Sequence, residues 1–305
     1  MILTEIKLYN HKSLIKQYDK KALVTELHGN RGMLWNSNSG FQSFLKRKQD
    51  NVVIGDFVRY EALDETSVLI NKIEPPMNQV ERLNKKGSKS NIVNNVTQIL
   101  LVIAPEPKPN YLLIDKFILI SELIECKLVV VVNKSDIKKD HIDKELIEYS
   151  KLGYQLIDIS AKYETNILEF KNLLNNHSSL LVGQSGVGKS TITNLLLNSD
   201  NIKTRALSKK SKQGKHTTTT TKIHLLDDDS FLIDTPGIEN LHPNITDIAD
   251  IKKGFIEINS HDLNCRYRDC SHLNEPSCVI KDMVETDRIS RQRYDNYKKL
   301  LSTYL

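Results

Sequence analysis

Apolar residues recur in three rhythms along the chain, and each rhythm assigns a region. Up to about residue 72 the apolar stretches are short and broken by turn residues. They include Ala22-Leu23-Val24-Thr25-Glu26-Leu27, Val52 to Tyr60 and, after an Asp64-Glu65 turn, Ser67 to Ile73. Short strands at roughly ten-residue spacing predict a small β-barrel of the OB type. Such barrels bind RNA or dock protein, and these residues leave both open. Residues 75–91 begin with Pro75-Pro76 and end in Lys85-Lys86-Gly87-Ser88-Lys89, which reads as a flexible linker. The pattern then changes. Continuous apolar runs at 96–104, 127–132, 154–159, 179–182 and 231–234 alternate with helically spaced segments at 111–125, 141–151, 165–175 and from 192 onward. Alternating strands and helices with fully apolar strands predict a parallel α/β sheet covered on both faces, with ligands at the carboxyl ends of its strands. The tail from Val284 to Leu305 has helical spacing and mixed charge.

A chain of 305 residues has room for two or three domains. The expected division is a barrel at 1–74, a linker at 75–91, an α/β domain at 92–243 and a C-terminal module at 244–305. No apolar run reaches the eighteen residues that a membrane helix needs. The start, Met1-Ile2-Leu3-Thr4-Glu5, lacks the basic and apolar regions of a signal peptide. A cytoplasmic protein is expected. The net charge of +5 is mild, but seven Lys or Arg and no acid fall between Lys203 and Lys222. Such a run is a solvated face or a surface for an RNA backbone.

The chemistry centres on Gly183-Gln184-Ser185-Gly186-Val187-Gly188-Lys189-Ser190-Thr191. Placed between an apolar strand and a helix, this pattern is a phosphate loop. Its glycines let backbone N–H groups wrap a phosphate, and the helix N-terminus adds unpaired donors. Lys189 is placed to reach the β and γ phosphates of a nucleoside triphosphate, and Ser190 to bind Mg²⁺. Asn133-Lys134-Ser135-Asp136 stands at the end of the 127–132 strand. A carboxylate at Asp136 can accept from both N1–H and the 2-amino group of guanine, a donor pair adenine lacks; its plainer role is to cap the next helix. Ser160-Ala161-Lys162 ends the following strand, where a backbone N–H can meet the guanine oxygen. Thr217 to Thr221 offer a hydroxyl for Mg²⁺, with Thr218 preferred. Asp234-Thr235-Pro236-Gly237 is a D-x-x-G in which Asp234 holds Mg²⁺ through water and the Gly237 N–H meets the γ phosphate.

These are the motifs of a GTPase in an unusual order. Base recognition precedes the phosphate loop, so the domain is circularly permuted, which compact domains with neighbouring termini tolerate. Beyond it, Cys265, Cys270, His272 and Cys278 form C-x4-C-x-H-x5-C. Three thiolates and an imidazole make a closed tetrahedral shell for a structural Zn²⁺. Cys126, alone before an apolar strand, reads as core.

The permuted order, the OB-like front and the C-x4-C-x-H-x5-C tail resemble the ribosome small-subunit-dependent GTPases, the RsgA or YjeQ family. The resemblance covers nearly the whole chain. It implies a GTPase stimulated by the small ribosomal subunit and acting in its late maturation, with GTP or GDP, the subunit and its 16S rRNA as partners, no membrane and a monomeric state. By the same resemblance, Ile238 stands where Ras-type enzymes place a water-orienting Gln. His216, just before the threonines, occupies the place of its proposed substitute; its plainer reading is a surface histidine. Thr97 stands where the family often has Asp. A reading from another class is a GTP-gated RNA-binding scaffold with negligible turnover, with which Ile238 is compatible. A small-molecule kinase explains neither N-K-x-D nor D-x-x-G.

Overall fold

The computed structural model describes residues 21–47, 50–63, 67–83, 88–138, 143–198, 221–235 and 241–305. Strands β1 (Lys21–His28), β2 (Arg31–Asn36), β3 (Gly40–Leu45), β4 (Phe57–Ala62) and β5 (Ser67–Ile73) close into a barrel in the order β1-β2-β3-β5-β4. The pair β3 and β5 is parallel and the other pairs are antiparallel. Ala22, Val24, Leu34, Phe44, Val58, Val68 and Ile70 fill its interior. Alternation puts Leu23 and Trp35 on the outside, yet both are buried, because they face the α/β domain. Trp35 meets Phe231 edge-on at 5.3 Å.

The strand expected over 52–60 is shorter. Val52 to Asp56 form a turn in which the buried Asp56 carboxylate accepts from the Val53 N–H at 2.7 Å and Asn94 Nδ2 at 2.5 Å. A buried carboxylate needs such donors, and they draw the backbone out of the ladder.

The expected flexible linker is also corrected. Strand β6 (Gln79–Leu83) lies within it and pairs antiparallel with β7 (Lys89–Asn94), which begins within it and runs past its end, and β14 (Leu241–His242) joins β6 from the far side of the chain. Its polar composition hid the hairpin. Val80 and Val93 are its two buried apolar positions, and the third strand comes from beyond the α/β domain.

The α/β domain runs β8 (Gln98–Ile103), α1 (Tyr111–Leu123), β9 (Lys127–Val132), α2 (Asp143–Lys151), β10 (Gln155–Asp158), α3 (Ile167–Leu174), β11 (Ser178–Gly183), α4 (Lys189–Asn198), β12 (Lys222–Asp227) and β13 (Ser230–Asp234). The strand order is β10-β9-β8-β11-β13-β12, parallel except for β12. Because successive strand residues face opposite sides, Ile99, Leu101 and Ile103 pack on α1, whereas Leu100 and Val102 pack with Phe170 of α3 and Ile192 of α4. Thr97 has a structural place: its Oγ1 accepts from the Ser178 N–H at 2.9 Å and meets His177 Nδ1 at 3.1 Å, pinning the starts of β8 and β11.

The C-terminal module comprises α5 (Ile248–Lys253), α6 (Ile256–Asn259), a 3₁₀ turn (Asp262–Asn264), α7 (Val279–Glu285) and α8 (Arg291–Tyr304). Phe255, Ile258, Ile280, Tyr297 and Leu300 form its core together with Leu119 of α1. Among the described residues, no helix is long and apolar enough to cross a membrane.

Candidate nucleotide site and metal centre

The site lies at the carboxyl ends of β8, β9, β10, β11 and β13. Parallel pairing sets Gly183 beside Val102 and Leu181 beside Asp234, so the glycine loop and the aspartate leave adjacent strands together. Gly183 has φ 143° and Gly188 φ 98°. A Cβ at Gly183 would collide with the Val102 carbonyl, and one at Gly188 with Asn133 Nδ2. These glycines are required by close approach as well as by dihedral angle. Lys189 Nζ donates to the carbonyls of Gly183 (2.7 Å) and Gln184 (2.6 Å), which lays the ammonium across the loop. Ser190 and Thr191 are exposed in the first turn of α4.

The Asn133-Lys134-Ser135-Asp136 segment is tied to the same loop. Asn133, 2% exposed, donates from Nδ2 to the Val187 carbonyl at 2.9 Å and accepts on Oδ1 from the Ala161 N–H at 3.0 Å. One amide therefore ties together three segments that are far apart in sequence. Lys134, at φ 60°, donates to the carbonyls of Glu106 (2.7 Å) and Gly186 (2.8 Å). The Ser135 N–H donates to the Ile159 carbonyl at 3.0 Å. Ser160 Oγ donates to Asp136 Oδ1 at 2.6 Å, which orients an exposed carboxylate.

Sequence reasoning passed over one wall of this site, the loop after β8. The Glu106 carbonyl receives Lys134, Pro107 lies 3.6 Å from where a Gly186 Cβ would stand, and the Asn110 N–H donates to Gln184 Oε1 at 2.8 Å. The signal was topological: this loop also leaves the carboxyl end of a parallel strand.

His216, Thr218, Gly237 and Ile238 lie outside the described residues. The residues that flank those segments meet, since Thr221 Oγ1 and Thr235 Oγ1 are 2.7 Å apart. Next to them, Lys222 Nζ pairs with Glu26 Oε1 of the barrel at 2.6 Å.

In the C-terminal module the ligand atoms of Cys265, Cys270, His272 and Cys278 all lie within 4.8 Å of one another. Cys265 Sγ is 3.9 Å from Cys278 Sγ, and His272 Nδ1 is 3.6 Å and 3.4 Å from these two sulfurs. Metal–sulfur bonds of 2.3 Å in a tetrahedron place sulfurs about 3.8 Å apart, so the group fits a metal ion. Burial pushes the Cys270 thiol up to about 12 and raises Cys278. Ionising these thiols without a cation is thus costly. Burial, with the Lys252 cation second, lowers the His272 imidazole toward its neutral form. Glu275 holds the turn that carries His272, accepting from the Ser271 N–H (2.7 Å) and Leu273 N–H (3.0 Å).

A permuted set of GTPase motifs gathered at one sheet edge, between a barrel and a Cys3His module, is distinctive, and known proteins match it. Residues 73–244 match the family model described as RsgA GTPase. The chain belongs to the RsgA GTPase family. It is 33% identical over 264 residues to a protein of Hahella chejuensis named small ribosomal subunit biogenesis GTPase RsgA, covering 85% of this chain and 76% of that one. A protein of the same name from Haemophilus influenzae is 34% identical over 267 residues, covering 85% and 77%. Among solved structures, YjeQ from Thermotoga maritima superposes with a TM-score of 0.74 at 28% identity, covering 93% of this chain and 98% of that one. YloQ, titled a circularly permuted GTPase, gives a TM-score of 0.70 at 21% identity over 93% and 94%, a likeness of fold. The closed barrel and the sheet behind it thus fall within a fold shared with YjeQ and YloQ over 93% of the chain.

Proposed function

We propose that this GTPase acts in the late maturation of the small ribosomal subunit and that the subunit stimulates its GTP hydrolysis. The observation that carries the reading is the meeting of Asn133 with both the glycine loop and Ala161, in a chain whose relatives are named for small-subunit biogenesis. Asn133, Lys134, Ser135 and Asp136, with Ser160 and Ala161, hold the guanine base. Gly183 to Thr191 hold the phosphates, and Ser190 and Asp234 share Mg²⁺. Thr218 completes the Mg²⁺ shell, Gly237 meets the γ phosphate, and His216 positions the attacking water when the subunit is bound. The barrel and the basic 203–222 segment contact 16S rRNA, and the protein works as a cytoplasmic monomer.

The test is multiple-turnover GTP hydrolysis with and without purified small subunits. Slow turnover alone and a large increase with the subunit are expected. Turnover that stays negligible with subunits present would instead identify a GTP-gated scaffold, and fast turnover unchanged by subunits would remove the proposed activation.

For the metal, the reading is one structural Zn²⁺ per chain, held by Cys265, Cys270, His272 and Cys278 with no open position for catalysis. Elemental analysis of the purified protein should find one zinc per chain, and Cys270→Ser should lose it. Because metal binding and folding of small modules are coupled, α5 to α8 should also become protease-sensitive in that variant. Full zinc retention would remove Cys270 from the ligand set.

A further inference from the structure

Two charged side chains stand behind the Cys3His group without entering it. Asp262 opens the 3₁₀ turn just before Cys265, and Lys252 lies in the last turn of α5 with only 4% exposure. Asp262 Oδ1 lies 2.8 Å from His272 Nε2 and 2.6 Å from Lys252 Nζ. Lys252 Nζ also donates to the Cys270 carbonyl at 2.9 Å. His272 itself is fully buried, and Tyr294 OH donates to its carbonyl at 2.5 Å.

We infer that Asp262, held in place by Lys252, is the positioning residue that selects Nδ1 of His272 as the metal ligand. The argument is one of donors and acceptors. A carboxylate can only accept, so the hydrogen between Asp262 and His272 sits on Nε2. A neutral imidazole carries one N–H, which leaves the Nδ1 lone pair free, and Nδ1 is the nitrogen facing the sulfurs of Cys265 and Cys278. A metal ligand is commonly oriented through its second nitrogen in this way. Charge points in the same direction. Three thiolates around a divalent ion leave one negative charge, Asp262 adds another, and Lys252 offsets one of them from a buried position. Its bond to the Cys270 carbonyl fixes the ligand-bearing backbone as well.

This inference rests on the metal reading above, and its test separates the two. In the full-length protein, zinc affinity is measured by competition with a chromophoric chelator, and the protonated His272 nitrogen is identified by long-range ¹H–¹⁵N correlation in the zinc-loaded state. Asp262→Ala should weaken zinc about 10- to 100-fold. Asp262→Asn keeps an acceptor at that place and should restore most of the affinity. The zinc-loaded wild type should show a protonated Nε2 on His272. Equal affinity in wild type and Asp262→Ala, or a protonated Nδ1, would overturn the inference and leave the metal site standing. A wild-type protein that takes up no zinc would overturn both.

Discussion

Replacing Asp136 with Asn should turn a guanine site into a xanthine site. The wild-type carboxylate is exposed and accepts from Ser160 Oγ on Oδ1 at 2.6 Å, so in the proposed site Oδ2 is the oxygen left to meet the base. In Asp136→Asn the amide oxygen keeps the Ser160 bond, so the NH₂ group takes the outer position. It then faces the N1–H and 2-amino donors of guanine, and donor meets donor. Xanthine carries an oxygen where guanine has its 2-amino group and can accept from the new amide. Two hydrogen bonds to a charged group contribute about 1.5–3 kcal/mol each. Their loss should weaken GTP by a factor of about 10² to 10⁴, at about 1.4 kcal/mol per tenfold. Titration with fluorescent GTP and XTP analogues checks this. Retained preference for GTP would refute the assignment of Asp136 to the base.

Arg293→Met should be among the most destabilising single substitutions in the chain. Arg293 is 3% exposed, and its guanidinium donates to Asp115 Oδ1 (2.7 Å), both Glu257 oxygens (2.8 and 2.9 Å) and the Gly254 carbonyl (3.1 Å). Asp115, fully buried on α1, also accepts from Tyr149 OH and Asn296 Nδ2, each at 2.7 Å. Burial pushes the Asp115 carboxyl above the usual range, and Arg293 is the leading group that draws it back down. Without the guanidinium, Asp115 is a buried charge lacking its counter-ion, which costs about 3–5 kcal/mol. At about 2–4 °C per kcal/mol for a chain this large, melting should fall by about 10 °C in a thermal scan. The double variant Asp115→Asn/Arg293→Met removes the fully buried Asp115 charge, leaves that of Glu257, and should recover part of the loss. Single and double variants that melt alike would show that the pair is not coupled.

The same ion pair connects the two functional regions. Asp115 sits one turn beyond Asn110, which caps α1 through its side chain and reaches Gln184 of the glycine loop through its backbone. Arg293 sits on α8, whose Tyr294 holds the His272 carbonyl. Nucleotide loop and metal module are therefore braced against one helix.

How much of this was legible beforehand follows from the distance over which each feature is encoded. The glycine loop, N-K-S-D, D-T-P-G and the Cys3His group are contiguous or closely spaced, and the apolar runs of β8, β9 and β11 sit within single segments. Local spacing carries such features, because a phosphate cradle or a buried parallel strand needs particular residue types in a row. Even the permutation is visible as motif order.

The partners that complete these features carry no local pattern. Asp115 and Arg293 are 178 residues apart, Lys89 and Asn244 155, and Lys134 and Glu106 28. A buried charge looks in sequence like any exposed one, and only packing shows which are desolvated and must find a counter-charge. Asp262 and Lys252 look like ordinary polar residues until folding sets them behind His272. The hairpin of β6 and β7 looked like a linker because its third strand arrives from beyond the whole α/β domain. The sequence by itself determined the fold class, the motifs and the spacing of the Cys3His group, since each depends on near neighbours along the chain. Tertiary structure alone decided which polar groups hold those motifs in place, because hydrogen bonds and ion pairs form between residues that only folding brings within reach.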